Sequence, residues 1–333
     1  MNAEQRERFE REQAQEALPA PAYPELPSER MEARRRHLLN EVDRQGRARS
    51  RRLAPRLRRR MVLVLGTAVA AGAAVVVLGI GSGAPGGAGH VPPASAASVQ
   101  LLERAALAAN AMPQKEARAG QYVYVKTVGH TSVLSENQDG QPDLLRENEG
   151  MEQWTSVDGS ASTLQRKEGK DSMLPGSEGG GNLNSPTYRL LATLPTDPEA
   201  LLKMIREDAE KNHGAGSDST TGPDQESFVA IGDLLRSGAA SPQLTAALYR
   251  AAALIPGVDV APDAVDAAGR RGAAVARVHA GERKEWIFDK SAVRLLGERT
   301  VLLNDSAWGK AGTVVSSVAL VASGIVDEAG QTP

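Results

Sequence analysis

The chain has 333 residues, 24% charged and 41% hydrophobic, enough for one large or two modest domains. It has no cysteine, which excludes disulfides, thiolate nucleophiles and cysteine-based zinc or iron–sulfur sites. The net charge of −2 conceals a split: residues 1–60 hold 16 Arg, no Lys and 10 acidic residues, leaving 23 of the 39 basic and 31 of the 41 acidic residues to the remainder, so the two ends suit different surroundings.

Residues 4–13 are charged around a single aromatic, Phe9, and do not sustain a helix alone. Pro19, Pro21, Pro24 and Pro27 then interrupt any helix. Ser28 caps a predicted helix over about residues 28–45, with Glu29 and Glu32 in its first turn, where the helix dipole favours anions. Met31, Leu38, Leu39 and Val42 fall at i, i+7, i+8 and i+11 and form one apolar stripe on an otherwise Arg-rich surface. These four are the candidate partner-binding residues. A segment of this length with so few apolar groups builds no core of its own. Two covers suit the stripe: anionic lipid headgroups, with the arginines as anchors, or the groove of a partner protein. Nucleic acid is disfavoured, because no aromatic residues interleave with the arginines.

Residues 61–80 carry no charge and one hydroxyl, Thr67. Twenty helical residues at about 1.5 Å each span roughly 30 Å, the thickness of a bilayer's hydrocarbon core. Arg47, Arg49, Arg51, Arg52, Arg56, Arg58, Arg59 and Arg60 precede this stretch, and the residues just after it are uncharged. The positive-inside rule therefore places residues 1–60 in the cytoplasm and the C-terminal domain outside it. A cleaved signal peptide is the competing reading, with Ala94, Ser95 and Ala96 as its small-residue site. That site lies well past the apolar run, and the preceding segment is some 60 residues long, so an uncleaved anchor is expected.

Residues 81–97 are mostly Gly, Ala, Pro and Ser, a flexible linker. An extracytoplasmic domain is expected over residues 98–327, with a disordered tail at 328–333. It opens with a helix at 98–111 and a strand at 121–128, rich in aromatic and β-branched residues. Asp158 and Gly159 set a hairpin between strands at 151–157 and 162–167, and residues 169–185 read as a mobile loop. Asp197 with Pro198, and Ser241 with Pro242, are cap-then-proline starts for helices at 198–208 and 242–254, with another helix at 225–235 between them. Strands at 273–280, 284–288, 293–303 and 313–326, joined by short turns, favour an antiparallel meander. The strand at 284–288, in which charged and apolar residues separate only partly, points to an edge.

No motif carries catalysis. Gly81, Gly83 and Gly86 match a dinucleotide fingerprint in spacing but lie in the linker, without the strand and helix that fingerprint needs. His37, His90, His130, His213 and His279 are widely separated, and none has a second ligand at metal-binding spacing. Trp154, Trp286 and Trp308 read as packing residues. No cofactor, metal or catalytic residue is expected.

The chain resembles a family of single-pass membrane proteins from high-GC Gram-positive bacteria, often encoded beside extracytoplasmic-function sigma factors. The resemblance rests on residues 26–30 leading into 37–41, the anchor, residues 121–125, 194–198 and 244–256, and residues 285–289 with 295–299. It implies an anti-sigma or signal-relay role, although the His-x-x-x-Cys-x-x-Cys signature of zinc-binding anti-sigma domains is missing. The outer domain looks like the fold of lipoprotein carriers and sigma-regulatory periplasmic sensors, which implies a curved antiparallel sheet packed on helices. The expected class is thus α+β with one transmembrane helix. The expected function is a non-enzymatic, membrane-anchored regulator linking an outer sensor domain to a sigma factor or other cytoplasmic protein. The alternative is an extracytoplasmic module that binds a lipid, a lipoprotein or another envelope ligand.

Overall fold

A computed structural model describes residues 91–333, apart from residues 115, 137–141, 177–180 and 214–221. The Met31, Leu38, Leu39 and Val42 stripe, the apolar stretch at 61–80 and most of the linker lie outside the described residues. Among the described residues no helix is long and apolar enough to cross a membrane.

The described part is α+β. Helix α1 (Ala96–Asn110) precedes strands β1 (Tyr122–Glu136), β2 (Pro142–Asn148), β3 (Met151–Ser156), β4 (Thr163–Lys167) and β5 (Lys170–Leu174). A small ribbon, β6 (Gly181–Asn182) and β7 (Ser185–Pro186), leads to the short helix α2 (Tyr188–Leu191). Helices α3 (Pro198–His213), α4 (Pro223–Arg236) and α5 (Pro242–Ala253) follow. The meander β8 (Val258–Val265), β9 (Arg271–His279), β10 (Glu282–Phe288), β11 (Leu295–Leu302) and β12 (Val314–Val326) completes the chain.

Ten strands form one antiparallel sheet in the order β5-β4-β3-β1-β12-β11-β10-β9-β8, with β2 on the far half of β1. The 15-residue β1 serves two partners on one side: Tyr122 to Thr127 pair with β3, and His130 to Glu136 pair with β2. Its period-2 alternation turns Val123 and Val125 toward the helices and Tyr122 and Tyr124 to the other face.

The helices start where local chemistry satisfies their orphan N–H groups. The Asp197 carboxylate accepts from Ala200 N (2.8 Å), and the Ser241 hydroxyl accepts from Leu244 N (3.1 Å) ahead of Pro242. Helix α5 packs on α1 through a small-residue surface, with Ala246, Ala247, Ala251 and Ala252 buried beside Leu102, Ala105 and Ala106. Arg250 donates twice to Glu103 across that contact, at 2.9 and 2.8 Å. Leu201, Ile205, Phe228, Ile231, Leu244 and Leu248 fill the space between helices and sheet. Each contributes about 2 kcal/mol by leaving water.

Four expectations need correction. Strand β10 lies between β9 and β11 rather than at an edge, and its charges are absorbed by ion pairs with β11. Residues 169–185 contain β5, β6 and β7 rather than an unbroken loop. The end of the chain lies on the sheet: Trp154 Nε1 donates to Gln331 O, and Pro333 packs where a Cβ on Gly324 would stand 2.6 Å from its Cγ. Trp154 and Trp286 are core residues, whereas Trp308 is exposed in the β11–β12 loop.

Candidate functional site

The sheet face turned away from the helices carries a cleft of about 350 Å³. Its floor comes from β12 (Leu320, Val321, Ala322) and Tyr124 of β1; Leu295, Arg270 and Arg294 form one wall and Thr332 and Pro333 another. The β8–β9 turn fixes Arg270. The buried Asp266 carboxylate accepts from Ala268 N (2.9 Å), Arg270 N (2.8 Å) and Arg270 Nε (2.7 Å). The same guanidinium donates to the Leu296 and Leu320 carbonyls at 2.8 and 2.9 Å, so its position is set before any ligand arrives. Arg294 is exposed and makes no ion pair among the described residues; it lies close enough to Asp289 to help lower that carboxyl's pKa, below the hydrogen bonds from Ser291 and Ala292.

Two guanidinium groups, that of Arg270 already paired with Asp266, over a floor of aliphatic side chains and the Tyr124 ring suit a small anion with an apolar part. The volume falls at the lower end of the range for small-molecule sites, about 300–1,000 Å³. No histidine, aspartate or glutamate side chain is among the residues lining the cleft. Among the described residues no group of three metal-ligating side chains comes together. His130 lies against Arg146, and partial burial first and that guanidinium second lower its pKa.

No protein family matches the sequence, and no curated protein does. Among solved structures, one titled "Crystal structure of MucB" overlaps 72% of this chain and 62% of that chain, with 14% identity and a TM-score of 0.22. The chain therefore spans less than two thirds of that protein's length, and the overlap does not establish a common fold.

Beside the cleft, the Tyr124 hydroxyl donates to Glu152 Oε1 (2.7 Å), which also pairs with Lys126 Nζ at 3.4 Å. Burial, then the adjacent carboxylate, pushes the Tyr124 phenol up to about 12, and the phenol's hydrogen bond lowers the Glu152 pKa. For an acid with a raised folded-state pKa, stability is present below the unfolded value near 10 and is lost as pH rises toward 12. The denaturation midpoint of the full chain should therefore fall over that interval. In Tyr124→Phe the curve should be flatter there, starting about 1 kcal/mol lower at neutral pH because the hydrogen bond is gone. Equal alkaline slopes for the two proteins would show that Tyr124 is not the group responsible.

No cleft residue is among the candidate site residues read from the sequence. Arg270 and Arg294 stand far from β1 in the chain, and only the sheet order brings them to Tyr124. The four predicted partner-binding residues lie outside the described residues, so they and the cleft are separate candidates.

Proposed function

We propose that the chain is a non-enzymatic, membrane-anchored regulator: a cytoplasmic helix that engages a sigma factor or related protein, one transmembrane helix, and an outer α+β domain that senses an envelope component. One observation carries this reading. Eight arginines, a twenty-residue stretch with no charge and one hydroxyl, and a folded α+β domain follow one another in a single chain. That arrangement suits a protein with one end on each side of a bilayer. The Met31, Leu38, Leu39 and Val42 stripe supplies the inner contact, and the cleft supplies an outer ligand site.

Two-hybrid pairing of residues 1–60 with a sigma factor encoded beside the chain tests the inner contact. Pairing is expected, and Leu38→Asp with Leu39→Asp should abolish it while leaving membrane insertion intact. No pairing, together with unchanged transcription on deletion of the chain, removes the regulatory role.

A further inference from the structure

The sheet face turned away from the helices carries a row of mostly polar residues. Register sets His130, Ser317, Arg299, Glu285, Ala276 and Asp259 side by side across β1, β12, β11, β10, β9 and β8. Alternation fixes the side: Trp286 and Val275 pack in the core beneath the helices, so Glu285 and Ala276 point the other way. The next row on that face, Ala319, Gly297, Ile287 and Ala274, is apolar.

Glu285, its side chain fully buried, arranges the cations. Its two oxygens each accept one hydrogen bond, from Arg283 Nε (2.6 Å) and Arg299 Nε (2.7 Å). Each guanidinium thus spends one of its five N–H donors on the carboxylate. The Nη atoms of both make no hydrogen bond among the described residues, and none of them is sealed from water. Because one carboxylate holds both Nε atoms, the two groups stay within a few ångströms of each other. Ser317, directly opposite Arg299, adds a hydroxyl that likewise has no partner among the described residues. On its far side Arg146 Nη2 lies 2.7 Å from His130 Nε2 and brings a third guanidinium to this face.

We propose that Arg283 and Arg299, oriented by Glu285 and joined by the Ser317 hydroxyl, form a binding site for a phosphate group. A structural ion pair needs one cation for one carboxylate, and the second arginine leaves a positive charge over. That surplus lies within residues 61–333, where 23 basic residues face 31 acidic ones. The other carboxylate of the row, Asp259, is on the edge strand beyond Ala276. A tetrahedral anion offers oxygens in several directions, enough to meet two guanidinium forks and a hydroxyl, whereas a carboxylate is filled by one fork. The site is separate from the cleft, since Arg299 and Leu295 stand four residues apart on β11, about 13 Å of strand. It depends on neither the anchor nor the cytoplasmic contact.

The test uses the full-length chain in uncharged maltoside micelles at neutral pH and measures bound radiolabelled inorganic phosphate by equilibrium dialysis. Saturable binding is expected in the parent. Arg299→Lys keeps a charge beside Glu285 but loses the fork, and should weaken binding about tenfold, as should Arg283→Lys. Thermal midpoints close to the parent's show that each variant folds; where Arg299→Lys does not fold, the more exposed Arg283 decides alone. Phosphatidylglycerol added to the micelles separates two sources of the group, and either result keeps the site. Displacement of the label assigns it to a lipid headgroup, and no displacement assigns it to soluble phosphate. No saturable binding in the parent overturns the site. Binding that is equal in the parent and in a folded Arg283→Lys overturns it too.

Discussion

Replacing Trp286 with alanine is expected to cost about 4 kcal/mol, the order for emptying a large aromatic from a packed core. Trp286 lies under α4 and stacks on Phe228, with ring centroids 4.0 Å apart and planes 3° from parallel. Helix α4 approaches this closely because position 232 is glycine. A Cβ there would stand 2.7 Å from Trp286 Nε1 and 3.3 Å from Glu298 Oε2. Within an ordinary helix, glycine to alanine gains about 1 kcal/mol. Here the methyl meets the indole, and overpacking at about 1–3 kcal/mol outweighs that gain, so Gly232→Ala is expected to destabilise. In the Trp286→Ala background the obstruction is gone and the same substitution should stabilise. The reversal, a coupling of about 2 kcal/mol, is measured by denaturant midpoints of the two single variants and the double variant. Additive effects would show that the helix and the indole are not in the tight contact described. Trp286→Phe sharpens the comparison, because Trp286 Nε1 meets no acceptor among the described residues and phenylalanine removes that orphaned donor.

This contact shows where sequence reading stops. The α3 and α5 starts are legible because Pro198 and Pro242 each follow a capping side chain, a signal confined to neighbouring residues. The β3–β4 hairpin is legible for the same reason. The Asp158 carboxylate accepts from Ser160 N, Ser160 Oγ and Ser156 Oγ, bonds that lower its pKa to about 2, and Gly159 takes a positive φ of 75°. Strand β8 shows no such pattern. Pro262 interrupts it, and a bulge places Asp263 at a φ of 54°, so its alternation breaks midway. Gly232 reads locally as a weak point in a helix, and its purpose is visible only from a tryptophan more than fifty residues away. The cleft is less legible still, since its arginines acquire meaning from β12 and β1, elements that only the sheet order brings beside them.

The charges of β10 point to an edge when read from sequence, and the manner of their burial in a central strand yields the second large effect. Glu285 is fully buried on the face away from the helices. Its Oε1 accepts from Arg283 Nε (2.6 Å) and its Oε2 from Arg299 Nε (2.7 Å). Arg299 is directly opposite on β11, and Ala276 is directly opposite on β9, too small to offer a competing contact. Glu285→Ala should cost about 3 kcal/mol, because it leaves two guanidinium groups, one of them 15% exposed, without their carboxylate. The partial exposure of Arg283 and Arg299 lets water recover some of the loss and keeps the figure at the low end for a broken buried pair. The attraction among the three groups mostly offsets the cost of taking them from water. Glu285→Leu combined with Arg283→Met and Arg299→Met should therefore return the stability to within about 1 kcal/mol of the parent. Chemical denaturation of the parent, the single variant and the triple variant compares them directly. If the triple variant is as unstable as Glu285→Ala, the charges contribute net stability and the strand sits in the sheet's interior because of them. If it recovers, β10 is central through Trp286, Ile287 and Phe288 alone, and the ion pairs serve to hold its register against β11.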